Sequence, residues 1–232
     1  MRSLGYIATV VASAASVVWG QQAFHYGKKD SPYVAGSKIV PLLDQQNYDT
    51  EQPPVPFRRA NATVVVVGME IRDMFRPRMD DEQLAATIHL TMNWHDSRLV
   101  HQSKSTIMVR DPGIIARIWR PDPDFGCARN LRMTNSKMLV KKNGVVSLKA
   151  KIELDLPCDR IKQHCSWSIS SYSYPSSMVR YQWRSSESNA VKISPEAREK
   201  SVKRAVAKKC LKTGGPHAGP TECLEVLLAI KV

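Results

Sequence analysis

Cysteines provide the clearest chemistry in this chain of 232 residues, which contains five of them. Close to its start the chain has Arg2 and then an apolar run typical of a secretory signal, so we expect an oxidising compartment. We expect two disulfides, Cys158–Cys165 and Cys210–Cys223, which leave Cys127 over. Cys127 is interpreted either as a buried thiol or as a partner for a cysteine of another chain. Closing the short Cys158–Cys165 loop should stabilise the fold by about 2.5 kcal/mol through the entropy of the unfolded chain.

An aromatic pair lies where a binding loop is expected. The alternating stretch from Cys165 to Ser170 predicts a strand, and Tyr172 and Tyr174 follow it directly. Loops at the ends of rigid sheets carry function more often than the sheets themselves. The pair therefore marks a candidate binding loop.

The remaining reactive residues form no catalytic or metal-binding pattern. The sequence has no zinc-ligand spacing, no phosphate-binding loop and no nucleophile motif. His164 is adjacent to Cys165, but that cysteine is expected in a disulfide, so the two do not form a catalytic pair. We therefore expect neither an enzyme nor a resident cofactor or metal ion.

The N-terminal residues predict targeting rather than folded structure. Residues 1–20 are predicted to be a signal peptide, because the apolar run after Arg2 is shorter than a membrane span. Residues 21–37 show no clear periodicity and are predicted to be a flexible leader, which places the folded domain at 38–232. Asn61 begins an Asn-Ala-Thr glycosylation acceptor, which predicts an exposed position.

The formal net charge of +13 suggests a nucleic-acid partner at first sight. A secretory signal argues against that partner, and the basic residues lack the interleaved aromatics of a single-strand binding surface. We therefore expect no nucleic acid, while attraction to acidic surfaces or anionic ligands stays open. The densest basic run, Arg198–Lys212, is predicted to be a solvated, mobile segment. No regular structure is assigned from Ser186 to Lys209.

Short alternating segments predict an all-β fold. Apolar and polar residues alternate over three stretches, Thr63–Arg72, Leu84–Trp94 and Val146–Leu156. Asn143-Gly144 is typical of a hairpin turn, and Glu225–Lys231 is predicted to be the final strand. Apolar residues from Ile39 to Leu43 predict a short N-terminal helix. Together these elements predict a twisted antiparallel β-sandwich of the immunoglobulin-like type.

Several motifs, taken in order, carry a family resemblance. They are Tyr48-Asp49 with Pro53-Pro54, Trp94-His95-Asp96-Ser97-Arg98-Leu99, Ile118-Trp119-Arg120-Pro121-Asp122, the Asn143-Gly144 hairpin leading to Cys158–Cys165, and Ser171-Tyr172-Ser173-Tyr174 followed by Tyr181-Gln182-Trp183. From about Ser37 to Val232 their order and spacing resemble the extracellular domain of Cys-loop receptors, the pentameric neurotransmitter-gated ion channels. The segment from Cys210 to Cys223, with Leu224-Glu225-Val226 after it, is similar to glycine- and glutamate-gated chloride channels.

The resemblance implies a transmitter site between neighbouring subunits, with a principal and a complementary set of residues. The principal set is Phe125 and Gly126 in the first loop, Tyr172 in the second, and Thr221 in the capping loop between the last two cysteines. Tyr172 lies where the family usually holds its key aromatic. Its ring is expected to attract an ammonium group by a cation–π contact of about 0.5–2 kcal/mol. The alternative is a tyrosine packed at the rim of the sandwich.

The complementary set implied by the resemblance is His89 and Thr91 on the second strand, and Ser147 and Lys149 on the hairpin strand. The alternation of these strands independently places all four on polar faces. A plain solvent-facing role is the alternative for each of them.

Three departures from the family pattern bear on these expectations. Thr91 stands where receptors for amino-acid transmitters often have an arginine that forks onto the ligand carboxylate, and Lys149 offers only a point charge instead. The capping loop between Cys210 and Cys223 has no aromatic residue. Six residues separate Cys158 from Cys165, where thirteen are typical, and the missing part includes the segment that contacts the membrane domain.

The resemblance implies the extracellular ligand-binding domain of a pentameric, chloride-conducting channel subunit. It implies a small-molecule neurotransmitter, other subunits of a homo- or hetero-pentamer, and a pore in the membrane that this sequence lacks. The expected location is the secretory pathway and then the extracellular face of the plasma membrane. Two alternatives are kept: a secreted ligand-binding protein of the same fold without a pore, and a truncated product without binding activity.

Overall fold

The computed structural model describes residues 32–45, 48–54, 62–76, 83–159, 161–185, 189–213 and 221–231. Within them the strands are β1 Tyr33–Ala35, β2 Thr63–Phe75, β3 Gln83–His95, β4 Thr106–Val109, β5 Pro123–Asp124, β6 Arg129–Val140, β7 Val145–Asp159, β8 His164–Ser171, β9 Val179–Trp183, β10 Val191–Ile193, β11 Val202–Lys212 and β12 Thr221–Ile230. The helices are α1 Val40–Gln45, α2 Pro112–Ala116 and α3 Pro195–Lys200, with 3-10 turns at Gly36–Ile39 and Ser97–Leu99. The predicted signal peptide and Asn61 lie outside the described residues.

The strands form two sheets that share one hydrophobic core. The larger sheet has the order β1-β4-β6-β7-β3-β2, and β9 and β10 pair with successive parts of the outer edge of β2. The smaller sheet has the order β11-β12-β8-β5. The hairpin from β7 to β8 joins the sheets, and the Cys158–Cys165 disulfide closes it. The predicted all-β sandwich with a short N-terminal helix is confirmed, although β1–β4, β2–β9 and β2–β10 pair in parallel.

Period-two alternation explains how the central strands build this core. On β3 the predicted inward residues are all buried, namely Ile88, Leu90, Met92 and Trp94. On β12 the inward set from the smaller sheet is Leu224, Val226, Leu228 and Ile230. Burying one such side chain stabilises the fold by about 1.5–3 kcal/mol. Because the alternation buries only one face of each strand, the other, polar face is available for binding.

The sequence assigns no regular structure from Ser186 to Lys209, and the mobile segment that it predicts at Arg198–Lys212 is wrong. This part of the chain contains β10, α3 and β11. Helix α3 begins after Ser194, whose hydroxyl accepts a hydrogen bond from the Ala197 N–H. Strand β11 buries Val202 and Ala207 but exposes several lysines, because it lies at the edge of the smaller sheet. These exposed lysines interrupt the alternation of apolar and polar residues from which a strand is predicted.

Three smaller expectations also change. Cys127 is exposed and free, so its interpretation as a buried thiol is wrong. The predicted leader ends too late, since Tyr33–Ala35 already pair with β4. The predicted loop from Cys210 to Cys223 is strand at both ends, because β11 extends to Lys212 and β12 begins at Thr221.

The helices of the structure are short. Over the described ranges, none has the length and apolar character needed to cross a membrane.

We expect the Cys158–Cys165 disulfide to stabilise the fold by about 2.5 kcal/mol, because it limits the unfolded chain. The double variant Cys158→Ala/Cys165→Ala should lose about that much unfolding free energy in urea titrations. Cys127→Ala is the matched control and should change the value by less than about 0.5 kcal/mol, since this cysteine is exposed and unbridged. Equal stability of the double variant and the parent would contradict the expectation.

Candidate functional site

Asp122 joins the first and second predicted binding loops. Its carboxylate accepts hydrogen bonds from the Ser171 hydroxyl and from the Ser173 N–H, both at 2.7 Å. Its backbone carbonyl accepts a further hydrogen bond from the Tyr172 N–H at 3.1 Å. Strands β5 and β8 pair directly beside these contacts. One aspartate therefore fixes the backbone that carries Tyr172.

A buried ionic group lies deeper in the same half of the sandwich, and we call Asp96, Arg98 and Tyr48 the Asp96 cluster. Asp96 is fully buried, and its two carboxylate oxygens accept from Nε and Nη2 of Arg98, each at 2.9 Å. The Tyr48 hydroxyl donates to the same carboxylate at 2.5 Å. The Arg98 guanidinium lies 4.2 Å from the centre of the Tyr48 ring. The buried negative charge of Asp96 is thus paired with the Arg98 cation, and both of its carboxylate oxygens accept hydrogen bonds.

The surroundings of the Asp96 cluster keep the Tyr48 hydroxyl protonated and the Arg98 guanidinium charged. Burial raises the pKa of the Tyr48 hydroxyl well above its ordinary value, and the Asp96 carboxylate raises it further. Burial opposes the charge on Arg98, but hydrogen bonding and attraction to Asp96 outweigh it and raise the pKa of the guanidinium. Tyr48 therefore stays a donor and Arg98 stays a cation throughout the physiological range.

The Asp96 cluster is connected to the second binding loop through Trp119. The Trp119 N–H donates to the Tyr48 hydroxyl at 3.1 Å, and its ring packs edge-on against Trp94 with centroids 5.8 Å apart. Indole Nε1 of Trp119 donates to the Tyr174 hydroxyl at 3.3 Å, which in turn donates to the Glu51 carbonyl at 2.7 Å. Tyr174 therefore holds the second binding loop against Trp119 and Glu51, whereas Tyr172, two residues earlier, borders a cavity.

Tyr172 borders an open cavity of about 550 Å³, whose lining includes Asp122, Phe125, Gly126, Leu131, Met133 and Leu148. We call it the principal cavity. Tyr172 is 67% exposed, which favours a ring that faces this cavity over a ring packed at the rim of the sandwich. The lining also contains Arg120 and Asp124. An aromatic ring on a fixed backbone, with two carboxylates in the same lining, is suited to holding a small cation.

Two other residues of the predicted principal set are buried in this chain. Phe125 is only 3% exposed and belongs to the hydrophobic core, so it forms a wall of the principal cavity and presents little surface to a ligand. Thr221 is 6% exposed and pairs with Lys212 at the start of β12. It is therefore a strand residue rather than part of an exposed cap.

The backbone conformation at position 126 favours glycine. Its φ is +48°, in the left-handed region that favours glycine. A Cβ there would lie 2.6 Å from the Ser168 hydroxyl oxygen and 3.3 Å from the Ser168 carbonyl oxygen, so a side chain at this position would require Ser168 to shift.

The complementary residues share a second, separate face. His89 and Thr91 of β3 line a cavity of about 340 Å³ with Gly68, Glu70 and Arg184, which we call the complementary cavity. Lys149 is the β7 partner of Thr91, and Ser147 is the β7 partner of Asn93 two residues along. One chain therefore does not bring the eight predicted residues into one cavity.

The base of the predicted capping loop is tied to the first loop. Cys210 and Cys223 face each other across β11 and β12 and form the predicted disulfide. The Lys212 ammonium lies 3.1 Å from a carboxylate oxygen of Asp124 and donates to the Ser170 hydroxyl at 3.1 Å. The tip of this loop, residues 214–220, is outside the described residues.

Sequence reasoning missed the roles of Asp122 and of the Asp96 cluster. Both aspartates lie in motifs that served only to carry the resemblance. No local pattern marks them, because Asp96 is flanked by His95 and Ser97 and Asp122 lies between two prolines, so neither interrupts an apolar stretch. For metal ions, the part of the chain that the structure describes contains no group of three or more His, Cys, Asp or Glu residues suited to coordination.

Comparison with known proteins gives a consistent result. The family described as neurotransmitter-gated ion-channel ligand binding domain matches residues 37–212. "Glycine receptor subunit beta-type 4" of Caenorhabditis elegans is 27% identical over 134 residues, which cover 53% of this chain and 28% of that protein. "Gamma-aminobutyric acid receptor subunit alpha-2" of Rattus norvegicus is 24% identical over 135 residues, covering 53% and 30%. "Gamma-aminobutyric acid receptor subunit alpha-6" of Gallus gallus is 24% identical over 187 residues, covering 74% and 39%. The chain thus spans less than half the length of these curated relatives.

We expect Asp96→Asn to cost about 2–3 kcal/mol of unfolding free energy, because it leaves the partly buried Arg98 cation without its counter-charge. Asp44→Asn is the matched control: its carboxylate pairs with Arg117, but the side chain is 59% exposed. That change should cost less than about 1 kcal/mol. Chemical denaturation measures the unfolding free energy of both variants. Equal losses would show that the Asp96 cluster stabilises the fold no more than an exposed ion pair does.

Proposed function

The chain belongs to the neurotransmitter-gated ion-channel ligand-binding domain family, and from this we propose that it is the extracellular ligand-binding domain of a subunit of a pentameric, chloride-conducting channel. Its family is one of receptors, so it is not an enzyme. The pore would be supplied by sequence that is not part of this chain.

The observation that carries the proposal is the arrangement around Tyr172. Its backbone is fixed by Asp122, its ring is exposed, and it borders the principal cavity. An aromatic face on a fixed backbone attracts a cationic ligand at a reduced cost in conformational entropy, because the backbone that carries the ring is held before the ligand arrives. The same chain carries the polar complementary cavity on another face, which suits a site completed by a neighbouring subunit.

The proposed ligand is a small transmitter with an ammonium group. The names of the relatives refer to glycine and gamma-aminobutyric acid, and both molecules carry an ammonium and a carboxylate. Receptors named for these two amino acids also support the proposed chloride selectivity. We therefore propose an amino-acid transmitter as the ligand class and take these two molecules as probes.

Gating would begin at the Cys210–Cys223 hairpin. A ligand beside Tyr172 lies next to Asp124 of the first loop, which Lys212 contacts at the base of this hairpin. A ligand that favours one arrangement of this contact shifts the equilibrium between two states of the assembly. The domain would work at the extracellular face of the plasma membrane, after passage through the secretory pathway.

One observation favours a second candidate, a secreted ligand-binding protein of the same fold. The hairpin between Cys158 and Cys165 is short, and Asp159 already pairs with His164. Such a tight turn offers less surface for coupling to a membrane domain. Sequencing transcripts beyond Val232 separates the two: four apolar spans downstream support the channel, and a stop codon supports the secreted protein.

We expect Tyr172→Ala to weaken the binding of glycine or gamma-aminobutyric acid by about 2- to 30-fold, because the cation–π face is lost. Tyr172→Phe should retain most of the affinity, since the ring remains. Phe75→Ala is the control, since Phe75 is an exposed aromatic at the end of β2, outside the lining of both cavities. Calorimetry on the secreted chain, with its assembly size checked by light scattering, measures all three. Unchanged affinity in Tyr172→Ala would show that the site is misplaced.

A further inference from the structure

Thr91 lies in a row of residues that crosses the larger sheet. Its partner on β2 is Gly68, and its partner on β7 is Lys149. Residues paired in this way point to the same face of a sheet, and their side chains lie about 5 Å apart. The chemistry available around Thr91 is therefore decided by what covers Gly68 on one side and by Lys149 on the other.

The Arg184 guanidinium covers Gly68. A Cβ added to Gly68 would lie 3.2 Å from both Cζ and Nε of Arg184, so the guanidinium rests where a side chain of β2 would otherwise stand. The Arg184 N–H donates to the Val67 carbonyl at 2.8 Å, which holds the arginine backbone against β2. Glycine at position 68 thus lets an arginine from the segment after β9 lie beside Thr91.

The charges nearby suit a ligand that carries both signs. Arg184, Lys192, His89 and Thr91 all line the complementary cavity, and Glu70 supplies its carboxylate. Glu70 is paired with Arg72 at 3.2 Å and lies 3.8 Å from His89. Among the residues that the structure describes, no carboxylate forms an ion pair with Arg184. Its fork of N–H donors is therefore available to an incoming anion.

We propose that Arg184 binds the carboxylate of an amino-acid ligand on the complementary face, in the position next to Thr91. Thr91 itself has no group that forks onto a carboxylate, whereas a guanidinium forms two parallel charge-assisted hydrogen bonds with one. Lys149 adds a point charge on the other side of Thr91. The inference rests on the proposed function, because it assigns one subsite of that binding site, and it makes the ligand class a carboxylate rather than a simple amine.

The first test compares ligands with and without a carboxylate. In Arg184→Gln the affinity for gamma-aminobutyric acid should fall about tenfold or more, while the affinity for butylamine stays unchanged. Arg184→Lys should fall in between, since it keeps the charge and loses the fork. Gly68→Ala should weaken the binding of gamma-aminobutyric acid by less than Arg184→Gln does, because the new methyl group shifts the guanidinium slightly without changing any charge. Arg204→Gln, an exposed arginine on β11 of the other sheet, is the control for net charge. A loss of equal size for butylamine would overturn the assignment.

The second test does not depend on Tyr172. Acetate and gamma-aminobutyric acid should each slow the modification of Arg184 by phenylglyoxal in the unaltered chain, and butylamine should not, as followed by peptide mass spectrometry. Modification of Arg184 at one rate in all three cases would overturn the inference even if the Tyr172 variants behave as proposed. Protection by carboxylates without any effect of Tyr172→Ala would support Arg184 and overturn the proposed position of the transmitter.

Discussion

The burial of one carboxylate, Asp96, constrains the whole end of the sandwich that carries the binding loops. A carboxylate with no access to water is costly unless its charge and its lone pairs are satisfied. Arg98 and Tyr48 satisfy them, and each brings another part of the chain with it: Arg98 donates to the Asp49 carbonyl, and the Tyr48 hydroxyl accepts from Trp119. The requirement of a single buried charge thus aligns the segment after α1, the turn after β3 and the approach to the first loop.

The hairpin between β6 and β7 is subject to the same constraint. The Asp96 N–H donates to the Gly144 carbonyl at 2.9 Å, and a Cβ on Gly144 would lie 2.5 Å from the Asp96 carbonyl oxygen. Gly144 has a φ of +77°, as a tight hairpin requires. The Asn143-Gly144 turn is therefore shaped by local turn chemistry and also by contact with the backbone of the residue on which the cluster is built.

Sequence alone predicts the parts of this fold that obey local rules. The alternation of β3 and β7, the Asn143-Gly144 turn and both disulfides follow from spacing and residue type. Strand β11 does not, because an edge strand exposes lysines on positions that a central strand would bury. The site divides in the same way. Tyr172 is predicted as a binding residue from its place after a strand, and the structure shows it exposed. The burial of Phe125 and the approach of Arg184 to Gly68 depend on contacts between distant segments, which no local pattern encodes.

The outer edge of β2 is shared by two strands in succession, β9 over Thr63–Val67 and β10 over Met69–Ile71. Between them the chain leaves the edge after Trp183 and rejoins it at Val191, and the complementary cavity lies at that break. Because β9 and β10 each pair with β2 on one side of the break, strand pairing does not set the length of this connection. Surface connections tolerate insertions and deletions far better than strands do. A change in the length of this connection would therefore resize the complementary cavity while every strand pair of the sandwich stays in register.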